Sequence, residues 1–118
     1  MKEVLAILQM NKMEETKDAL DVIGIPSITA YKVTGRGKQK GLQIPSPPQL
    51  DQSDNRNMKY IPKRMISIMV EDEFVPAVVA VITKVNRTGN IGDGRIFVCP
   101  VDEAVRIRTG DRGNEAIS

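Results

Sequence analysis

Apolar positions fall into short groups separated by polar, glycine-bearing stretches, and the spacing changes from group to group. Val4-Leu5-Ala6-Ile7-Leu8 is continuous, which suits a central strand better than a helix of that length. Asn11, with Glu14 three residues on, reads as a helix start. Met13, Lys17, Leu20 and Ile23 then follow at helical spacing until Gly24 and Pro26 end the helix. Ile28 to Val33 is β-branched and alternating, a second strand running into Gly35-Arg36-Gly37. From 36 to 62 the periodicity stops. Pro45, Pro47, Pro48 and Pro62 lie among Ser, Gln, Asp and Asn, and a loop of that length in a small domain points to a partner-contacting element. Met65 to Val70 is a third strand. Asp72 is placed to cap a second helix with Phe74, Val78, Val81, Ile82 and Val85 on one face, Pro76 being tolerated in its first turn. A tight loop over 87–95 leads into a fourth strand, Ile96 to Val98. Val105 to Arg108 forms a basic strand or loop, and the polar end beyond it reads as mobile. The order βαββαβ predicts a ferredoxin-like α+β fold, with two helices on one face of a four-stranded antiparallel sheet in a single domain, 1–118.

Composition narrows the chemistry. The chain has 118 residues, 41% of them apolar but only two Phe, two Tyr and no Trp, so its core is aliphatic and further burial through oligomerisation is expected. Seventeen Lys and Arg against fifteen Asp and Glu leave a net charge of +2, too little for a general nucleic-acid binder. Without histidine, the commonest general base and zinc ligand is missing. Cys99 stands alone and reads as inert core. Acids such as Glu71, Asp72 and Asp93 form no recognisable catalytic set, so a non-enzyme is expected. No apolar run reaches the ~20 residues of a membrane span, and Met1 to Met10 lacks signal-peptide zones. A cytoplasmic protein without stable membrane insertion follows.

Three segments carry candidate chemistry. Gly35-Arg36-Gly37-Lys38-Gln39-Lys40-Gly41 joins close backbone approach to cationic side chains, a composition suited to phosphate. Thr88-Gly89-Asn90-Ile91-Gly92-Asp93-Gly94-Arg95 lies between a helix and a strand, the reverse of a Walker or Rossmann loop. It reads either as an anion nest flanked by Arg87 and Arg95 or as a plain tight connection. Arg106 and Arg108 alternate, which on an extended segment puts both guanidiniums on one face.

The stretch Thr88 to Phe97, with Val105 to Gly110, closely resembles the two C-terminal signatures of PII signal-transduction proteins, and the resemblance covers nearly the whole chain apart from the long loop. It implies trimers, or a mixed oligomer with a sister PII-like subunit, holding ATP or ADP in the clefts between subunits. By this resemblance 36–62 is the T-loop, 87–95 the B-loop and 103–118 a C-terminal segment. Nucleotide-binding residues are then Ile7, Thr29, Gly37, Lys38, Gly92, Asp93, Gly94, Arg95, Arg106 and Arg108, the last two supplied by an adjacent subunit. Gln39, Lys40, Gly41 and Lys63 bind 2-oxoglutarate, with Gln39 also a ligand of Mg²⁺. Ser67 stands where a glutamate is frequent and Lys38 where an arginine is usual, and the loop has no tyrosine near its tip. Together with Tyr60-Ile61-Pro62-Lys63-Arg64-Met65, the longer loop resembles the nitrogenase-associated paralogues, which implies dinitrogenase as target and release when 2-oxoglutarate and ATP accumulate. The alternative within the family is a general adaptor for an ammonium transporter or an enzyme such as glutamine synthetase. An RNA-binding module of the same fold lacks the stacking aromatics it needs.

Overall fold

The computed structural model describes residues 1–35 and 61–118. Val4, Ala6 and Leu8 are completely or almost completely buried, while the odd positions between them face the other side of strand β1 (Lys2–Gln9). Strands β2 (Thr29–Gly35), β3 (Ile61–Val70) and β4 (Gly94–Pro100) complete one sheet in the order β2-β3-β1-β4. Every neighbouring pair is antiparallel. Together with α1 (Met13–Val22) and α2 (Val75–Asn86) this is the expected ferredoxin-like arrangement. The continuous apolar run is indeed a central strand, flanked on both sides.

Residues 61 and 62, expected in the long loop, begin β3. Gly35 pairs with Ile61 and Thr34 with Pro62, whereas the β1 ladder ends at Gln9 opposite Lys63. Pro62 therefore lies where β3 has a neighbour on one side only, a position that tolerates a missing N–H.

Both helices are entered differently from the sequence reading. A 3₁₀ turn, Met10–Lys12, precedes α1, and neither Asn11 nor any other side chain caps it. The buried stripe is Met13, Thr16 and Leu20. Lys17 is exposed and pairs with Glu14 at 3.6 Å. The stop at Gly24 is as expected: with φ 89°, it donates its N–H to Asp21, and Ile25 donates to Leu20, the double closure of a Schellman motif. Asp72 likewise does not cap α2. It sits in a 3₁₀ turn, Asp72–Phe74, and its carboxylate is taken by the Met1 amino group. Pro76 is in the first turn of α2, whose inward residues are Val78, Ile82 and Asn86, while Phe74 is half exposed.

Helices and sheet enclose one aliphatic core, in which Val4, Ala6, Leu8, Ile66, Ile68 and Val70 meet Met13, Leu20, Val78 and Ile82. Each of these Val, Leu, Ile and Met side chains contributes about 1.5–3 kcal/mol on burial. Among the described residues, neither of the two long helices packs on the opposite face of the sheet. Leu5 and Ile7 stand there with Tyr31, Met69 and Phe97, the last three between 42% and 46% exposed. Cys99, expected in the core, is half-buried and belongs to this open face with Met69, both paired to Glu3 across β1. No described helix is long and apolar enough to cross a membrane.

The C-terminal segment is folded, contrary to the expected mobile end. Ala104 and Gly113, Val105 and Arg112, and Arg106 and Asp111 face one another across a hairpin, followed by a short helix α3 (Asn114–Ile117).

Candidate functional site

One end of the open sheet face gathers most of the expected residues. Lys63 lies on β3 between Gln9 of β1 and Val33 of β2, all pointing away from the helices. Its ammonium donates to the Gly92 carbonyl at 2.7 Å, tying the sheet to the loop that joins α2 to β4. The residue is only 8% exposed. Burial lowers its pKa from the ordinary lysine value, and the charge of nearby Asp93 opposes that shift. Among the described residues no carboxylate is within ion-pair distance of it. With a neutral carbonyl as its described partner, the ammonium can also bond to an anion.

The loop itself is organised by Asp93. Its carboxylate accepts the Thr88 N–H at 2.7 Å and the Gly89 N–H at 2.9 Å, together with the Thr88 hydroxyl. The Thr88 side chain first, then the backbone N–H groups and the charge of Lys12, hold the Asp93 carboxyl below the usual aspartate value. Two N–H groups that could have formed an anion nest are thus occupied by the chain's own carboxylate. Beyond the turn, Gly94 is forced by close approach. It has φ 112°, and a Cβ there would stand 1.9 Å from the Ile7 carbonyl oxygen.

Ile7, Lys63, Gly92, Asp93, Gly94 and Arg95 are therefore brought to one corner, with Arg95 paired to Ile7 across the β1–β4 ladder. Gly37, Lys38, Gln39, Lys40 and Gly41 lie outside the described residues, as does all of the expected T-loop except Ile61 and Pro62. Thr29 begins β2 opposite Ser67, four residues along β3 from Lys63. Ser67 Oγ donates to Glu3 at 2.7 Å, so a carboxylate stands beside the position where the resemblance has a glutamate.

The two C-terminal arginines are arranged otherwise than an extended strand requires. Arg106 is at the hairpin base, where it donates to the Asp111 carboxylate at 3.1 Å and to the Glu115 carbonyl at 2.9 Å. Arg108 is in the turn, beside an Ile107 that is 98% exposed. The chain turns from Ile107 onward, closed by the Gly110 N–H on the Arg106 carbonyl, so the two share no strand face. Ser118, to which Arg106 also donates, lines a groove with Met69, Val70 and Glu71. That end of β3 is about 23 Å from Lys63 at 3.3 Å per residue. Within one chain the arginines do not reach the Lys63 corner.

One contributor escaped the sequence reading. Gln9 Nε2 donates to the same Gly92 carbonyl at 3.1 Å. Its signal is the strand register that sets it beside Lys63, which no local pattern contains.

Among the described residues no group of three or more His, Cys, Asp or Glu could hold a metal ion. A Mg²⁺ held chiefly by nucleotide phosphates and one side-chain oxygen needs no such group.

Comparison with known proteins identifies the family and the fold. Residues 1–111 match the family described as Nitrogen regulatory protein P-II. The chain is 57% identical over 122 aligned positions to the nitrogen fixation nifHD region GlnB-like protein 2 of Methanothermobacter marburgensis, covering 99% of this chain and 100% of that protein. Identity to its counterpart in Methanothermococcus thermolithotrophicus is 51%, covering 99% and 98%. With the nitrogen regulatory protein P-II of Azospirillum brasilense it is 40%, covering 99% and 100%. The crystal structure of Arabidopsis thaliana PII bound to citrate superposes with a TM-score of 0.76 at 32% identity, covering 99% of this chain and 89% of the other. The chain belongs to the P-II family of nitrogen regulatory proteins, within its nitrogenase-associated group.

Proposed function

We propose that this protein is a nitrogen-status sensor that binds ATP or ADP and 2-oxoglutarate where its subunits meet, and that controls nitrogenase by binding dinitrogenase. The observation that carries this reading is Lys63, a near-buried ammonium with a neutral carbonyl as its described partner. The far carboxylate of 2-oxoglutarate supplies such an anion, offsetting the cost of burying the charge. Gln39, Lys40 and Gly41 complete that site, Gln39 also holding Mg²⁺ by its side-chain oxygen. A Mg²⁺ held there would supply charge neutralisation for the anionic ligands.

The nucleotide lies along Ile7, Gly37, Lys38 and the B-loop residues Gly92, Asp93, Gly94 and Arg95. Thr29 stands near it. Arg106 and Arg108 come from a neighbouring copy or a sister PII-like subunit, which accords with their distance from Lys63 in one chain and with the exposed Ile107. The apolar sheet face away from the helices supports a trimer, since an exposed patch of this kind marks an interface. Such a trimer acts in the cytoplasm as a binding protein, without turnover.

Calorimetry with ATP, ADP and 2-oxoglutarate, alone and combined, tests the site. Co-sedimentation with dinitrogenase tests the target. MgATP with 2-oxoglutarate is expected to lower affinity for dinitrogenase, and an affinity indifferent to these ligands excludes the switch, since a ligand without state preference shifts no equilibrium. Full-length identity of 40% to a P-II protein outside the nitrogen-fixation set favours a second reading, a general adaptor for an ammonium transporter or glutamine synthetase. Recovery of one of these in place of dinitrogenase from nitrogen-fixing cells would select it.

A further inference from the structure

The Gly92 carbonyl is the meeting point of two donors from neighbouring strands, Lys63 Nζ at 2.7 Å and Gln9 Nε2 at 3.1 Å. A carbonyl oxygen has two lone pairs and accepts both. The donors are not equivalent. Lys63 carries a charge that an entering carboxylate attracts strongly, because an anion adds a Coulomb attraction that a neutral carbonyl lacks. Gln9 is a neutral amide with no such attraction.

We propose that Gln9 is a positioning residue that keeps the 87–95 loop docked on the sheet when an anionic ligand draws on Lys63. The inference rests on the reading of Lys63 as a carboxylate site. In the ligand-free protein both donors hold Gly92. When a carboxylate recruits the ammonium, the amide retains the carbonyl, so Gly94 stays against Ile7 and the Asp93-closed turn keeps its place. The nucleotide loop and the carboxylate site can then be filled together. Side-chain chemistry at position 9 fits this role. A carboxylate there could not donate to Gly92, and it would pair with Lys63 and cancel the anion site.

The first test needs no ligand. Lys63→Met imitates withdrawal of the ammonium, and the Thr88 and Gly89 amides, both held by Asp93, report on loop order through hydrogen exchange. Lys63→Met and Gln9→Leu singly are expected to change exchange less than about threefold, and the double variant to accelerate it about tenfold or more. Single Lys63→Met exchanging as fast as the double variant overturns the proposal, as does a double variant as protected as the wild type.

The second test uses calorimetry with MgATP, with and without saturating 2-oxoglutarate. Gln9→Leu is expected to bind ATP within about twofold of wild type when 2-oxoglutarate is absent, and about five- to twentyfold more weakly when it is present. Equal weakening under both conditions, or none under either, counts against the role. Wild-type protein that binds neither ligand overturns the proposed function, while the exchange experiment still decides the role of Gln9.

Discussion

Asn86 on α2 donates from Nδ2 to the Thr16 hydroxyl on α1 at 3.0 Å, and Thr16 in turn donates to the Lys12 carbonyl at 2.8 Å. Both side chains are buried, at 6% and 0% exposure, so the helices are joined by a polar tie inside an aliphatic core. Thr16→Val keeps the shape and removes both side-chain bonds, leaving an Asn86 N–H without its partner. Urea denaturation is expected to show a loss of about 1–3 kcal/mol. A change below about 0.5 kcal/mol, the usual size for an unimportant surface substitution, would show that the tie is dispensable.

Gly94 and Gly89 separate two effects that glycines share. Both have positive φ, but a Cβ at Gly89 meets nothing within 4 Å, whereas one at Gly94 collides with the Ile7 backbone. Gly89→Ala should cost about 1–2 kcal/mol from backbone strain alone. Gly94→Ala should cost about 3 kcal/mol or more, because β4 must also move away from β1. Equal losses in denaturant titrations would mean that the sheet yields at that rung.

The acid limb of stability should depend on Asp93. Its pKa is lowered in the folded protein by bonds from Thr88 and Gly89, so its contribution is complete above the ordinary aspartate value of 3.8 and is lost as the pH falls through the lowered folded value. Asp93→Asn should therefore be less stable than wild type at neutral pH, with the gap closing in strong acid. A gap independent of pH between neutrality and about pH 2 would assign the loss to packing and not to charge.

Oligomerisation should depend on the open sheet face. Phe97 is 46% exposed there and pairs with Leu5 across the ladder. Phe97→Glu places a charge in the proposed trimer interface, and light scattering should report monomers. Lys17→Glu, on the exposed side of α1, should leave the mass unchanged. A trimer that survives Phe97→Glu would mean that another surface holds the subunits together.

Topology was legible from the sequence because it depends on where apolar runs begin and end. Those boundaries were marked locally by Gly24, Pro26 and the glycines of the 87–95 segment. The α1 face was harder to read. Lys17 has a better helical spacing from Met13 than Thr16, yet Thr16 goes inward because Asn86, seventy residues away, offers it a partner. Asp72 has the chemistry of a cap but is claimed by the Met1 amino group, a contact that exists only once β1 is placed. The same limit explains the site. Lys63 and the B-loop residues were found through their resemblance to a known motif, but Gln9 has no motif and becomes visible only through strand register. Arg106 and Arg108 were misread as extended because the turn between them is closed by Gly110 and Asp111, through backbone bonds to Arg106.

The pairing of Gly35 with Ile61 has a consequence for how such proteins diverge. The two ends of the connection between β2 and β3 are held at one rung of the sheet, so lengthening that connection adds only about 0.6 kcal/mol of closure cost per doubling. Insertions at that point therefore burden the sheet little, which makes it a tolerant place for the family to vary in length. Lys63, two residues past Ile61, is fixed by its pairing with Gln9 and Val33 and keeps its place in the sheet whatever the length of that connection.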